Sequence, residues 1–363
     1  MSEIKPQKTI VFTGGGSAGH VVPNLVLMDV LAKKGWNMAY IGSKEGIEKK
    51  LTEKTKVPYH GIYSGKLRRY WSIQNFVDPF KVLAGSMEAW HILGKIKPDV
   101  VFSKGGFIAC PVVFAAWLRR IPVIVHESDL TPGLANRLNF PLASKIALTF
   151  EQTKQAVSCK KKVVVTGTPV RQALLQGDAA AGRSLCGFNH AKPCIMIMGG
   201  GSGAASINEI VRKALPELLP EFNVIHLCGQ GKMDTRLSTL EGYKQFDYVN
   251  EDLAHLYACS DLVISRAGAN SVYEILALKK PHIFIPLSTK ASRGDQIANA
   301  RFFESLGLSV VLEEASLNAE ILVQEINEIF SRLETIQEKI KAYSSETASG
   351  AEAIVNLIEV TCG

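Results

Sequence analysis

The sequence contains no run of the roughly 18 apolar residues that a membrane-spanning helix needs, so no transmembrane segment is expected. Met1 to Lys8 is polar and leads straight into an apolar run. It lacks the hydrophobic centre of a secretion signal, and a cytosolic protein is expected. The seven cysteines, Cys110, Cys159, Cys186, Cys194, Cys228, Cys259 and Cys362, are scattered and never form a Cys-x-x-Cys pair. That spacing favours reduced, buried thiols over disulfides or zinc. No zinc-finger or RNP-type signature occurs, so nucleic acid is not an expected partner. There is no Asp-x-Asp, the pair through which many sugar transferases hold a divalent ion, and no segment is low in complexity.

What is present suits two globular cores. The chain has 363 residues, 47% hydrophobic and 21% charged, which is long for one core and apolar enough for two. The net charge of +7 suits an anionic nucleotide or an anionic membrane surface and does not choose between them.

Two segments 185 residues apart read alike. Thr9-Ile-Val-Phe-Thr precedes Gly14-Gly-Gly-Ser-Ala-Gly19, and Cys194-Ile-Met-Ile-Met precedes Gly199-Gly-Gly-Ser-Gly-Ala204. Each is a buried strand, a glycine-rich turn and a helix start. Further short apolar runs predict strands at Met38–Ile41, Val100–Phe102, Pro122–Val125, Lys145–Leu148 and Val163–Thr166, then at Val224–Leu227, Leu262–Ser265, His282–Ile285 and Ser309–Leu312. Helical stretches between them predict an α/β chain of two Rossmann-like domains with parallel sheets. The run Leu317–Val360 reads as helix with a break near Ser344–Gly350. Gly167-Thr-Pro169 reads as a hinge. The expected division is 1–168, completed by a C-terminal helix 344–363, and 169–343.

Gly14-x-Gly16-x-x-Gly19 and Gly199-x-Gly201-x-x-Ala204 fit the dinucleotide fingerprint in form. Glycines permit a tight turn and close approach, and a helix N-terminus offers N–H groups to an anion. A dinucleotide enzyme also wants an acid at the end of the second strand for the ribose. Here that end reads Tyr40-Ile-Gly-Ser43, with no acid until Glu45, which argues against NAD or FAD. More specific is Ser265-Arg-Ala-Gly-Ala-Asn-Ser-Val-Tyr-Glu274, followed by Ile283-Phe-Ile-Pro286 and Ser292-Arg-Gly-Asp-Gln296-Ile-Ala-Asn299. A helix starting near Asn270 can face a diphosphate, and Glu274, one turn inside, can accept from both hydroxyls of a ribose.

In the order and spacing of its motifs the chain resembles the family 28 glycosyltransferases of the GT-B fold. The shared marks are Gly14–His20 with Pro23, Lys104-Gly-Gly-Phe107 with Pro111, His126-Glu127, Gly133-Leu-x-Asn136, Gly167-x-Pro-Val-Arg171, Gly199–Ala204 and Ser265–Asn299. The resemblance implies two Rossmann-like domains facing across a cleft. It implies transfer of GlcNAc from UDP-GlcNAc to the C4 hydroxyl of lipid I, undecaprenyl-diphosphate MurNAc-pentapeptide, to form lipid II for peptidoglycan, with no cofactor and no tightly bound metal. It places the donor at Arg171 (diphosphate), Glu274 (ribose), Gln296 (sugar), Ala269, Asn270 and Ser271 (phosphates), with Gly201, Ser202 and Asn136. It places the acceptor diphosphate at Gly14, Gly15, Gly16, Ser17, Ala18 and Gly19, with Gly105 and Gly106. Three places depart from the family pattern. His126-Glu-Ser-Asp129 stands where many relatives have His-Glu-Gln-Asn, Gly201-Ser202 where Ser-Gln is common, and Arg293-Gly-Asp295-Gln296 has one Gln where relatives have two.

Inverting transfer needs a base for the acceptor hydroxyl and stabilisation of the departing UDP. Three candidates stand for the base: His20, which titrates near neutrality and leads, and Glu127 and Asp129. Glu127-x-Asp129 is also the nearest substitute for a metal-binding acid pair. Arg171 and helix N-termini aimed at the leaving group need no metal. His126 reads as structural.

A lipid-borne acceptor implies docking on the anionic cytoplasmic face of the cell membrane as a peripheral enzyme, alongside other cell-wall enzymes. Lys66-Leu-Arg-Arg-Tyr-Trp71, with Phe76, Phe80 and Leu83, and Trp117-Leu-Arg-Arg120 mix cations with bulky apolar groups. An ordinary amphipathic helix gives the same pattern. Rival readings are a GT-B enzyme with another lipid acceptor such as diacylglycerol, a hydrolysing UDP-GlcNAc 2-epimerase, and an inactive UDP-GlcNAc sensor.

Overall fold

The computed structural model describes residues 7–65, 74–189, 191–201, 203–289, 292–346 and 350–362. Trp71 and Ser202 lie outside the described residues, as does the side chain of Phe76. The chain forms two compact units, Met1–Val170 with Ser349–Gly363, and Arg171–Ala348.

The first unit runs β1 (Thr9–Thr13), α1 (Val22–Lys33), β2 (Asn37–Ser43), α2 (Ile47–Thr52), β3 (Tyr59–Ile62), α3 (Gln74–Ile96), β4 (Val100–Ser103), α4 (Ala109–Leu118), β5 (Val123–Glu127), α5 (Leu134–Asn139), β6 (Lys145–Leu148) and β7 (Val163–Val165). Its seven strands are parallel, in the order β3-β2-β1-β4-β5-β6-β7. The central strands are apolar at successive residues because both faces are covered, as parallel sheets require. The second unit runs α6 (Ala179–Cys186), β8 (Cys194–Met198), α7 (Ala205–Leu218), β9 (Asn223–Leu227), β10 (Tyr243–Phe246), α8 (Leu253–Cys259), β11 (Leu262–Ser265), α9 (Ala269–Ala277), β12 (His282–Phe284), α10 (Asp295–Ser305), β13 (Val310–Val311), α11 (Ala319–Ser331) and α12 (Leu333–Glu346). Its order, β10-β9-β8-β11-β12-β13, repeats the plan of the first.

The last helix, α13 (Gly350–Thr361), returns to the first unit. Ala351, Ile354, Val355 and Ile358 join Ile10, Phe12, Leu27 and Leu31 in one core. Burying each large aliphatic side chain there contributes about 1.5–3 kcal/mol. Gly350 lies so close to the Thr168 backbone that a Cβ would sit 2.4 Å from its carbonyl oxygen.

Two strands were not legible in the sequence. β3 (Tyr-His-Gly-Ile) and β10 (Tyr-Lys-Gln-Phe) carry polar residues and form the same edge of their sheets. An edge strand has one paired neighbour, so its composition is less constrained. The C-terminal run breaks twice rather than once, because Arg332 leaves the helical region (ψ 22) between α11 and α12.

In both sheets the strand order reverses beside the glycine loop, between β1 and β4 and between β8 and β11. Open parallel sheets bind ligands at the carboxyl ends of strands at such switch points.

Candidate active site

In the second unit β11 ends at Ser265, and Gly268 opens α9 in an extended conformation. The helix geometry gives the N–H groups of Ala269 and Ser271 no intrahelical acceptor, because the ladder begins with Val272 N–H donating to the Gly268 carbonyl. Glu274 is buried, and its carboxylate accepts two hydrogen bonds from Arg171, from Nε at 2.7 Å and from Nη2 at 3.0 Å. The Glu274 carboxylate holds the Arg171 guanidinium above its ordinary pKa against the opposing effect of burial. The two residues expected at ribose and diphosphate are thus one bidentate pair. Gln296 lies near the same turn. Its Oε1 accepts from Leu287 N–H at 3.1 Å, and its Nε2 is 4.0 Å from where a Gly268 Cβ would stand. Asn299 Nδ2 donates to the Ala267 carbonyl, fixing the turn from below. Gly201, on the rim of the second glycine loop, meets nothing among the described residues within 4 Å of a built Cβ, so that rim is open there.

The first unit's loop is built differently. Gly14 and Gly15 are buried, while Gly16, Ser17 and Gly19 are exposed and Ala18 is half-buried. Tyr40 Oη donates to the Gly14 carbonyl at 2.7 Å. Glu48 of α2 is fully buried, and its carboxylate accepts from Gly16 N–H at 3.2 Å, Ser43 N–H at 3.0 Å and the Ser43 hydroxyl. The family resemblance implies an anionic diphosphate at this loop. The structure shows its Gly16 amide already held by a carboxylate from within the unit. Glu48 is a residue that sequence reasoning missed. It lies in α2, beyond the end of β2, and nothing in the local sequence marks it as the partner of the Gly16 amide.

His20 stands half-buried at the end of the loop. Its Nδ1 is 3.1 Å from the Gly15 carbonyl, which only accepts, so a proton on Nδ1 makes that bond and in the neutral ring leaves the lone pair on Nε2. The Ser17 hydroxyl is also 3.1 Å from Nδ1. That tautomer is the one a base needs. The Gly105–Gly106 turn after β4 abuts the loop. Gly106 has φ +80°, and a Cβ there would lie 2.4 Å from the Gly15 carbonyl oxygen, so only glycine fits.

Glu127 ends β5, buried, and its carboxylate accepts from Asp129 N–H (3.0 Å), Gly133 N–H (2.9 Å) and Asn136 Nδ2 (3.0 Å). Those bonds occupy Glu127 in holding its own loop, an arrangement that points to positioning rather than proton transfer. Asn136, expected at the donor, lies buried in the first unit with Nδ2 committed to Glu127 and to the His126 carbonyl. Asp129 is half-buried on the same loop. His126 is buried and donates from Nε2 to the Gly167 carbonyl at 3.0 Å. Burial, and secondarily Lys104, pushes it well below its ordinary value, so it is neutral.

On α3 and α4, Phe80, Leu83, Met87, Trp90, Phe114, Trp117 and Leu118 are exposed. Phe114 stacks on Trp117 with centroids 6.0 Å apart, and the Arg119 guanidinium lies 3.8 Å over the Trp90 ring. Among the described residues no helix is long and apolar enough to cross a membrane.

Comparison with known proteins decides the family. Residues 10–148 match the glycosyltransferase family 28 N-terminal domain, and residues 194–354 match the glycosyltransferase family 28 C-terminal domain. The chain belongs to glycosyltransferase family 28. A relative from Legionella pneumophila is 55% identical over 351 residues, covering 97% of this chain and 96% of its own. One from Clostridium tetani is 49% identical over 353 residues, covering 97% and 98%. Both are named UDP-N-acetylglucosamine–N-acetylmuramyl-(pentapeptide) pyrophosphoryl-undecaprenol N-acetylglucosamine transferase. The crystal structure of Acinetobacter baumannii MurG is similar, with a TM-score of 0.76 at 26% identity over 97% of this chain and 99% of that one. The two parallel-sheet units are those of the GT-B architecture.

Proposed function

We propose that the protein moves GlcNAc from UDP-GlcNAc to the C4 hydroxyl of MurNAc in lipid I, giving β-linked lipid II with inversion at the sugar carbon. The observation that carries this is likeness at 49–55% identity, over nearly the whole chain, to enzymes named for that transfer.

The donor belongs at the second unit's switch point. Glu274 exchanges Arg171 for the two ribose hydroxyls, which leaves the guanidinium for the diphosphate. The first-turn amides of α9, Ala269 to Ser271, and the helix dipole stabilise the charge that grows on UDP as its bond to the sugar carbon breaks. Gln296 beside the turn, and Gly201 on the open rim, suit contacts with the sugar and the phosphates. At the first unit's switch point the acceptor O4 bonds to the sugar carbon while its proton passes to His20 Nε2. Asp129 is the second candidate for that proton, and Glu127 with Asn136 shapes the loop that carries it. The exposed aromatic and aliphatic side chains of α3 and α4, with Arg119 and Arg120, dock the enzyme on an anionic membrane surface where lipid I resides.

The test is transfer of radiolabelled GlcNAc from UDP-GlcNAc to a short-chain lipid I analogue, with and without EDTA. Labelled disaccharide-lipid in both arms is expected. Product lost with EDTA would give Glu127 and Asp129 a cation to hold. UDP-GlcNAc bound with no product would overturn the acceptor assignment, and release of UDP with free ManNAc would mark a 2-epimerase.

A further inference from the structure

The switch points of the two units carry the same unusual feature. After β4 the chain reads Ser103-Lys104-Gly105-Gly106, and after β11 it reads Ser265-Arg266-Ala267-Gly268. Each cation is the first residue beyond the strand that pairs with its unit's glycine-loop strand. Both are buried, with Lys104 at 1% exposure and Arg266 at 6%. Arg266 is neutralised by two 2.8 Å hydrogen bonds to Glu314, and it donates to the Ile285 and Pro286 carbonyls. Lys104 Nζ has no hydrogen-bond partner among the described residues.

An enclosed ammonium with no partner destabilises the fold, and such groups gather where a function retains them. β4 pairs with β5, Ser103 opposite Val125, so Lys104 follows its strand alongside the end of β5 that carries Glu127. The Lys104 Cβ packs under Gly14, and its backbone N–H donates to the Thr13 carbonyl. The charges acting on it are the carboxylates of Glu127 and Asp129. Asn136 Oδ1 and His126 Nδ1, both buried acceptors with no partner among the described residues, lie on the neighbouring α5 and β5.

We propose that Lys104 is a positioning residue for the transfer step, its enclosed ammonium holding the Glu127–Asp129 turn in place beside the Gly105–Gly106 turn and His20. The proposal rests on the transfer reading above. It places Lys104 on the acceptor side, with no part in donor binding.

Burial lowers Lys104 from an ordinary 10.5 to about 8, and the two carboxylates pull it back up. The charge is therefore present below about pH 8 and is lost above it. The other titratable groups around it do not cross that range. His126 is neutral, the Tyr40 phenol is pushed far up by burial, and the Cys110 thiol is raised to about 11 by the same cause. Glu48 lies under the loop in contact with Gly15, and His20 lies against Gly106. Because the folded value lies below the unfolded one, folding releases a proton between about pH 8 and 10.5. Stability attributable to this group rises with pH through that window.

The experiment uses the full chain with UDP-GlcNAc and a short-chain lipid I analogue, comparing wild type, Lys104→Met and Lys104→Arg. Transfer rate from pH 6 to about 9.5, UDP affinity and melting temperature are read for each. Lys104→Met should lose at least about tenfold in kcat, keep UDP affinity within about twofold, and melt no lower than wild type at neutral pH. Lys104→Arg should recover part of the rate and extend the alkaline limb beyond about pH 8, since guanidinium stays charged. A Lys104→Met enzyme with wild-type kcat and an unchanged pH profile would overturn the proposal. So would a loss of rate matched by a lower melting temperature, the mark of a merely structural residue. A wild-type enzyme inactive on this acceptor would instead overturn the transfer reading, and Lys104's role with it.

Discussion

The glycine loop after β1 and the glycine loop after β8 occupy the same place in sheets of the same plan, yet they are supported by opposite means. The first has a buried carboxylate, Glu48, accepting from its Gly16 amide, and beside it an enclosed cation with no hydrogen-bond partner among the described residues. The second has a matched pair, Arg266 with Glu314, at the strand end, and Lys232 Nζ donates to its Gly203 carbonyl at 3.2 Å. Each loop combines packed glycines with an open rim: a Cβ at Gly203 would run into the Cys228 carbonyl as one at Gly106 would run into the Gly15 carbonyl, while Gly16 and Gly201 meet nothing among the described residues. On the proposed function, a nucleotide diphosphate takes the Ala269 and Ser271 amides and the Arg171 guanidinium that Glu274 gives up. A neutral hydroxyl that must lose a proton suits a rigid loop presenting one imidazole lone pair. Repetition of the fold therefore does not mean repetition of the task.

The sharpest way to break this comparison is to remove each buried cation in turn. Arg266→Met leaves the partly exposed Glu314 with only the Ser206 hydroxyl and the Ile285 and Pro286 carbonyls without their donor, and should destabilise the protein by about 3 kcal/mol, the low end for a broken buried pair, read by denaturant unfolding of the second unit. Lys104→Met should stabilise it or leave it unchanged. Equal destabilisation by both would mean that Lys104 is paired in solution and the contrast is false. A smaller effect separates the loops. Gly106→Ala puts a Cβ into the Gly15 carbonyl at a left-handed φ and should cost about 2–3 kcal/mol, while Gly201→Ala, in open space, should stay within about 0.5 kcal/mol. Similar melting temperatures for the two variants would deny that Gly106 is packed and Gly201 open. The smallest effect concerns the outer face of the first unit. Phe80→Glu with Leu83→Glu should weaken cosedimentation with anionic vesicles by about tenfold, roughly 1.4 kcal/mol, without changing transfer to a soluble short-chain acceptor. Unchanged cosedimentation would return α3 to an ordinary amphipathic helix.

The sequence made the two-fold plan legible because it is written in local signals. Thr9–Thr13 and Cys194–Met198 are continuous apolar runs of strand length, each closed by three glycines. The start of α9 was legible for the same reason, since small residues after Ser265 leave little else for the chain to do. The edge strands β3 and β10 were not legible, because half-exposed strands with His, Lys and Gln carry neither alternation nor an apolar run. The partners of charged residues were also out of reach. Glu274 and Arg171 are 103 residues apart, and Glu314 lies 48 residues beyond Arg266, so nothing local announces either pair. Lys104 shows the limit most clearly. Its motif was recognised, but only the packed structure reveals a cation with no counter-charge in contact.

The division of labour between the two switch points is tested most directly by measuring UDP affinity and transfer rate side by side in Glu274→Ala and His20→Ala. Glu274→Ala should weaken UDP binding by about 100-fold, near 2.7 kcal/mol, through loss of charged hydrogen bonds. His20→Ala should leave UDP affinity within about twofold and slow turnover by roughly 1,000-fold, the range of a lost general base. Full UDP affinity in Glu274→Ala, or a near-normal rate in His20→Ala, would contradict the assignment of donor and acceptor chemistry to separate units.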